Sequence, residues 1–326
     1  MEHVKFFKSI KKENVDEAGG KGASLGEMVN NNIPVPPGFV ILANAFDRFI
    51  EETHLKEEIE ARLSEVNPED TNSIDKASNV IRDVIHDTLM PEDLTEEILK
   101  SFDELGAEHV AVRSSATAED GAVASWAGEL DTFLNTTRDN VIEKVKECWS
   151  SLFTPRAIFY RHEKNLIDHY VSVAVVIQKM IQSEISGIAF TVHPVTEDYN
   201  QMIIEAGFGL GEAIVSGQIT PDSYVVLKSD MSIFDINVGH QTRKLIKTKK
   251  QKNKKTNLED DDFANEWIDL DEVGEKQKLS GKQIIELAML CKKIEDHYKF
   301  PCDIEWAMEG GDIYITQSRP ITTLKK

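Results

Sequence analysis

The chain has 326 residues, 40% apolar and 29% charged, with 57 Asp and Glu against 37 Lys and Arg for a formal net charge of −20; this is the make-up of a folded, water-compatible chain long enough for two lobes. An acidic surface of this size repels nucleic acid and anionic membranes, so neither is expected as a partner, and an anionic substrate would need local cations, backbone N–H groups and metal. No apolar run approaches the roughly 20 residues needed to cross a bilayer, the first residues hold no signal-peptide-like stretch, and the scattered Cys148, Cys291 and Cys302 suit neither a disulfide framework nor a zinc site, which points to a reducing, cytoplasmic setting.

In chain order, residues 17–28 (EAGGKGASLGEM) are glycine-rich and run into a short helix. Residues 31–38 (NNIPVPPG) form a turn-rich connector into an apolar run over 39–42. Ile74, Ala77, Ile81, Val84 and Ile85 share one face at helical spacing. A further helix spans 91–106, with Pro91 at its start, Gly106 at its end, and Leu94, Ile98 and Phe102 inward. The strand 109–112 (HVAV) enters a small-residue loop over 113–128. Asp139 is placed to cap a helix through Trp149, and Pro155 starts another. Strands are expected over 171–180, 187–192, 201–206, 224–227 and 233–238, with a loop at 207–211 (GFGLG) leading into a short helix. Eight basic residues lie within 243–255, followed by acid at 259–262; with no interleaved aromatics this reads as a solvated loop rather than a nucleic-acid site. Ser280 caps a long helix through Tyr298, and a β-hairpin follows. Helices dominate the first part and strands the second, which makes an α+β chain with a first lobe over 1–182 and a second over 183–326.

That hairpin carries the most chemistry. Its two runs, 302–308 (CDIEWAM) and 312–320 (DIYITQSRP), alternate apolar and polar residues about Gly310-Gly311. If residue 309 faces residue 313 across a three-residue loop, Glu305 lies opposite Gln317 on one face of the sheet. A two-residue turn would instead put Thr316 opposite Glu305 and send Gln317 to the other face. A carboxylate beside an amide oxygen suits Mg²⁺ that is also held by nucleotide phosphates. Arg319 points the same way and can reach a phosphate. An ordinary hairpin with polar residues facing water is the alternative.

Other segments also suit a polyphosphate. In residues 19–22 (GGKG) the glycines let backbone N–H groups approach phosphate and Lys21 adds a point charge, but the spacing is not that of a P-loop. Arg113 leaves a strand in residues 111–120 (AVRSSATAED) and can clamp phosphate. The small residues over 114–128 suit a lid, with Trp126 as its anchor or as a plain buried aromatic. Thr132 can donate to a nucleotide or simply fill a strand. Gln178 is polar within an apolar run and, if buried, needs a partner such as an adenine edge. The GFGLG loop fits a tight turn better than a phosphate cradle; Glu205 and Glu212 flank it and could aid metal binding. Nucleophilic catalysis finds no support, since Ser114 and Ser115 have no evident base and His193 reads as structural.

The strings GGKGASLGEM, AVRSSATAED…AGELDTFLN, GFGLGEAIVSG and DIEWA…IYITQSRPIT resemble, in order and over residues 4–323, the ATP-binding portion of phosphoenolpyruvate synthases (pyruvate, water dikinases), pyruvate, phosphate dikinases and rifampin phosphotransferases. The resemblance implies an ATP-grasp-like fold of two lobes clasping MgATP. It implies that Lys21, Arg113 and Arg319 are the phosphate-holding catalytic residues. Gly128, Thr132 and Gln178 would line the nucleotide site, Glu305 and Gln317 would bind Mg²⁺, and 114–128 would close over the phosphates. Glu129 departs from the Gln often found there. In such enzymes the ATP β-phosphoryl group goes to a histidine on a swivelling domain, in cis or in trans, and from there to pyruvate or another acceptor. No Gly- and Thr-rich phosphohistidine motif occurs here and the last histidine is His297, so the chain is expected to act as an excised domain or as one subunit of a split enzyme. A rifampin phosphotransferase-like or other dikinase module, and a non-catalytic nucleotide sensor, are the alternatives.

Overall fold

The computed structural model describes residues 2–117, 131–164, 171–249 and 263–324. They fall into two compact units, Met1–Asn30 with Pro37–Met180, and Asn31–Pro36 with Ile181–Lys326. The elements of unit 1 are β1 (Val4–Phe6), α1 (Val15–Asn30), β2 (Gly38–Ile41), α2 (Ala43–Glu52), α3 (Leu55–Ser64), α4 (Thr71–Asp87), α5 (Glu92–Leu105), β3 (Val110–Ala116), β4 (Thr132–Thr136), α6 (Val141–Ser150), α7 (Pro155–Glu163) and β5 (Val173–Lys179). Those of unit 2 are β6 (Ile185–Phe190), β7 (Gln201–Phe208), α8 (Glu212–Val215), β8 (Asp222–Leu227), β9 (Ser232–Asn237), β10 (Arg243–Lys249), β11 (Phe263–Asp269), α9 (Gly281–Tyr298), β12 (Cys302–Glu309) and β13 (Asp312–Pro320). The expected α+β class, helix-rich first and strand-rich second, is what the chain adopts.

Unit 1 is an antiparallel sheet in the order β1-β2-β5-β3-β4. Its strands are short β-branched runs, and alternate residues point to opposite faces. One face, with Phe39, Ile41, Val110, Val112, Val173, Val175 and Ile177, packs into the core with Phe46, Phe49 and Trp149 from α2 and α6. Trp149 stacks on Phe49 at 5.1 Å between ring centres, an arrangement that adds to burial alone. The other face carries α1. The helix expected after the glycine-rich run instead includes it: α1 starts at Val15 and is broken once, at Gly19. The helix before Trp149 begins after Asn140, not Asp139, and neither side chain caps it; Asn140 Oδ1 is taken by the Thr137 N–H at 2.8 Å.

Unit 2 is a six-stranded antiparallel sheet, β13-β12-β6-β7-β8-β9, with the separate ribbon β10-β11. One face carries Tyr224, Ile204, Ala189, Ile304 and Trp306, all buried. It is covered by α9, which is started by a Ser280–Gln283 capping box. The 31–36 segment belongs here because the Ile315 N–H donates to the Pro34 carbonyl at 2.8 Å. The basic run expected as a loop is a strand through Lys249, paired in register with β11, and Arg243 lies 4.1 Å over the Trp267 ring; the rest of that run, 250–255, lies outside the described residues.

Behind α9, a buried ion pair locks the sheet to the chain that feeds the helix. Lys278 Nζ lies 2.8 Å from Asp222 Oδ1, both side chains fully buried. Asp222 also accepts from Tyr224 Oη (2.6 Å), Gly239 N (2.9 Å) and Lys278 N (2.7 Å), while Lys278 Nζ donates to the Gly239 and Gly274 carbonyls. A charge this well surrounded is tolerated; deprived of its partner it is costly. Lys278→Met should therefore cost about 3–5 kcal/mol in urea unfolding, and a loss below about 1 kcal/mol would show that the pair does not hold this corner.

Candidate functional site

The described candidates in unit 1 gather on the α1 side of its sheet. Arg113 pairs with Thr132 across β3–β4 and with Val176 across β3–β5, and Gln178 pairs with Ala111. Paired residues share a face, as do residues two apart, so Arg113, Thr132 and Gln178 all lie on the side carrying α1 and Lys21. Thr132 is exposed and Lys21 half-exposed. Arg113 is 9% exposed and Gln178 3%. Gln178 is thus not an outward-facing strand residue. Its Oε1 accepts from Arg113 Nη1 at 3.5 Å. Its Nε2 is buried with no hydrogen-bond partner among the described residues, a donor open to an acceptor.

Lys21 sits just after a break in α1. Gly19 has φ +69° and ψ 171°, left-handed backbone that favours glycine. The backbone therefore leaves the helix at Ala18 and starts a fresh turn with Gly20, Lys21 and Gly22. Gly128, Trp126 and Glu129, with most of the small-residue segment, lie outside the described residues.

In unit 2, the hairpin brings Glu305 opposite Gln317, although not by the expected route. The turn is the two-residue Gly310-Gly311, with φ of 61° and 89°, and Glu309 pairs with Asp312, not Ile313. That turn alone would send Gln317 to the face under α9. A β-bulge corrects it: Trp306 pairs with Ile315 and Glu305 with Gln317, so Thr316 is the extra residue. Ile315 stays buried beneath α9 with Trp306, and Gln317 emerges on the other face. Asp303 and Arg319 form the next pair on that face, and the Arg319 guanidinium meets Asp303 Oδ2 at 2.8 Å through both Nε and Nη2. Burial pushes the Asp303 carboxyl up, and Arg319 offsets part of that. Sequence reasoning missed Asp303, although it stands two residues before Glu305 in the same alternation.

The row through Glu305 continues across the sheet to Ile188 on β6, Glu205 on β7 and Ser223 on β8. Ser186, one step along β6, holds the Gly209 carbonyl at 2.7 Å, so the 207–211 loop and α8 cover one end of this face. That loop is a fixed turn. Its N–H groups at 208, 209 and 210 go to Gln241 Oε1, the Glu184 carbonyl and the Leu245 carbonyl, at 2.8, 3.0 and 2.9 Å, which leaves them no capacity for phosphate. His193 is structural as well, its Nδ1 accepting from the N–H groups of Val195 and Thr196. Among the described residues no three His, Cys, Asp or Glu side chains assemble a metal cage. Glu305 and Gln317 are a cross-strand oxygen pair that could hold Mg²⁺ only with phosphates and water in the remaining positions.

Glu205 has no partner among the described residues, and burial pushes its carboxyl up. A raised carboxyl stabilises the fold only below its unfolded value, near pH 4, and that contribution is lost as pH rises through the folded value. Glu205→Gln should therefore raise the urea midpoint at pH 7, with the gain shrinking towards pH 4; a lowered midpoint at pH 7 would reveal a stabilising role for the carboxylate.

Residues 15–326 match the family model described as pyruvate phosphate dikinase, AMP/ATP-binding domain. The chain is 47% identical over 330 residues to the probable phosphoenolpyruvate synthase of Archaeoglobus fulgidus, covering 99% of this chain and 42% of that protein. It is 44% identical over 334 residues to the probable phosphoenolpyruvate synthase of Methanocaldococcus jannaschii (100% of this chain, 27% of that protein). To the phosphoenolpyruvate synthase of Pyrococcus furiosus it is 39% identical over 365 residues (99% and 44%). It thus spans less than half the length of these curated relatives. Among solved structures it matches D-alanyl-alanine synthetase A from Vibrio cholerae at 11% identity and a TM-score of 0.29, over 75% of this chain and 54% of that one, a likeness too slight to bear on the site. No helix among the described residues is long and apolar enough to cross a membrane. With the family model running through nearly its whole length, the chain belongs to the pyruvate phosphate dikinase AMP/ATP-binding domain family.

Proposed function

We propose that this chain binds MgATP and donates the ATP β-phosphoryl group to a histidine on a separate domain or chain, as one module of a phosphoenolpyruvate synthase-like dikinase. The observation that carries the reading is the bulged hairpin, which sets Glu305 and Gln317 side by side with Arg319 next to them on one face. The buried Nε2 of Gln178, without a partner among the described residues, supports it from unit 1. The residues fit the ligand: Gln178 offers a donor to a base-edge nitrogen or oxygen, and Lys21, Arg113 and Arg319 offer cations to phosphate oxygens.

Phosphoryl transfer needs in-line positioning and neutralised charge more than covalent chemistry from side chains. Magnesium, when bound, neutralises phosphate charge and fixes the geometry of the polyphosphate. Glu305 and Gln317 are the residues that would hold it. Arg113, oriented by Gln178, would steady the group being transferred. Arg319, oriented by its ion pair with Asp303, would hold a neighbouring phosphate. Thr132 would add a hydroxyl donor beside Arg113, and Gly128 would contribute backbone to the same nucleotide. The histidine acceptor and the final acceptor, pyruvate or another, would be read by other parts of the enzyme.

The test mixes the purified chain with MgATP and a histidine-bearing phosphocarrier domain of a phosphoenolpyruvate synthase. With the γ-phosphoryl group released to water, AMP, phosphate and phosphohistidine are the expected products; tight MgATP binding with no transfer would contradict the catalytic half of the reading. Arg113→Ala should slow transfer about a hundredfold, a larger effect than the loss of folding stability that follows from leaving Gln178 Oε1 without its donor. Deleting Thr316 returns β13 to strict alternation with Gln317 directly after Ile315 and still opposite Glu305, so the deletion variant and Thr316→Ala should both retain the Mg²⁺-dependent part of ATP binding, whereas Glu305→Ala should abolish it. Full Mg²⁺ dependence in folded Glu305→Ala would remove the hairpin from the site.

A further inference from the structure

The glycine break in α1 is held from outside the helix by one hydroxyl. Ser115 on β3 is fully buried and faces the same way as Arg113. Its Oγ donates to the Ala18 carbonyl at 3.0 Å, the last helical carbonyl before the break. It also accepts from the Gly22 N–H at 3.3 Å, in the first turn after it. A hydroxyl can donate and accept at once, so a single side chain bridges the two helical segments. Lys21 lies within the span that it closes.

The fit leaves little slack. A Cβ on Gly19 would lie 2.2 Å from Ser115 Oγ and 2.4 Å from the Ser115 carbonyl oxygen. Beyond the break, a Cβ on Gly22 would lie 3.0 Å from Val40 Cγ2, and one on Gly26 would lie 2.7 Å from Ile10 Cβ. The second segment of α1 is therefore seated closely, and the angle at which it leaves the break follows from what Ser115 holds. The neighbouring Ser114 does something else: it points to the opposite face, where its Oγ meets the Asp131 and Cys148 carbonyls and Ser151 Oγ.

We infer that Ser115 is a positioning residue for the phosphate-binding step: it fixes the break at Gly19 and so aims Lys21 from the α1 side of the sheet. The inference rests on the MgATP reading for its functional half and on the geometry alone for its structural half. Ser115 touches no nucleotide in this account and acts only through α1.

The experiment compares Ser115→Ala with Ser172→Ala. Ser172 is a buried serine whose hydroxyl ties β5 to α2 through Asp47 Oδ1 (2.7 Å) and the Ala43 carbonyl. Calorimetric titration with MgATP should show about tenfold weaker binding for Ser115→Ala and unchanged binding for Ser172→Ala, even where both lose similar stability. Lys21→Met should weaken binding in the wild-type background and have far less effect in the Ser115→Ala background, because a misaimed lysine has little left to lose. Additive effects, or an equal loss in Ser172→Ala, would overturn the inference. Hydrogen–deuterium exchange over residues 18–26 provides a readout free of nucleotide: it should accelerate in Ser115→Ala and not in Ser172→Ala. If wild type fails to bind MgATP, the nucleotide reading fails while exchange still judges the structural half. Unchanged exchange in Ser115→Ala would overturn that half too.

Discussion

One extra residue in one strand governs the chemistry available to unit 2. Side chains alternate along a strand, so a shift of one position exchanges every group between faces. The Gly310-Gly311 turn sets Ile313 and Ile315 beneath α9, where Met308 and Trp306 also lie. Continued without interruption, that register would bury Gln317 under the helix and leave Ser318 in its place. Thr316 breaks the alternation once. The apolar half of the hairpin then satisfies the core while the polar half, from Gln317 onward, serves the opposite face with Glu305, Asp303 and Arg319. Packing and chemistry make opposite demands on β13, and the bulge lets both be met.

Unit 1 resolves a similar conflict through its sheet. The face toward α2–α7 is filled with Phe, Ile, Val and Trp. The face toward α1 carries Arg113 and Gln178 at positions where burial would ordinarily exclude them. They meet one another, Arg113 Nη1 to Gln178 Oε1, yet the meeting is incomplete: Gln178 Nε2 has no acceptor among the described residues. Glu205 in unit 2 makes a parallel case, a half-buried carboxylate with no ion-pair partner among the described residues. Polar groups of this kind mark where stability has been given up, and they fall on the same faces as the family motifs.

Much of this was legible from residue order alone. The Ser280 cap, the α5 limits at Pro91 and Gly106, and the strand alternation in β12 and β13 are local signals, and the local rules held. The Glu305–Gln317 pairing was also reached, but from a three-residue turn that does not exist. Gly-Gly is a strong two-residue turn signal, and taking it at face value would have placed Gln317 among Ile313 and Ile315, a conflict that itself announces a bulge. Other features lie beyond local rules. The break at Gly19 needs Ser115, distant in sequence, to explain it. Residues 31–36 look like a linker until Ile315 is seen donating to Pro34. The basic strand β10 reads as a loop because its partner β11 lies beyond a long charged stretch. In each case the deciding contact is tertiary.

The central claim is that the bulge at Thr316 keeps Glu305 and Gln317 paired on one face, where together they would hold one metal ion. Its most direct test replaces Mg²⁺ with paramagnetic Mn²⁺ in the presence of ATP and follows the side-chain amide signals of the glutamines by NMR. The account predicts that the Gln317 signal broadens beyond detection with MnATP and returns when excess Mg²⁺ displaces the Mn²⁺. A Gln317 signal that remains sharp with bound MnATP would contradict it.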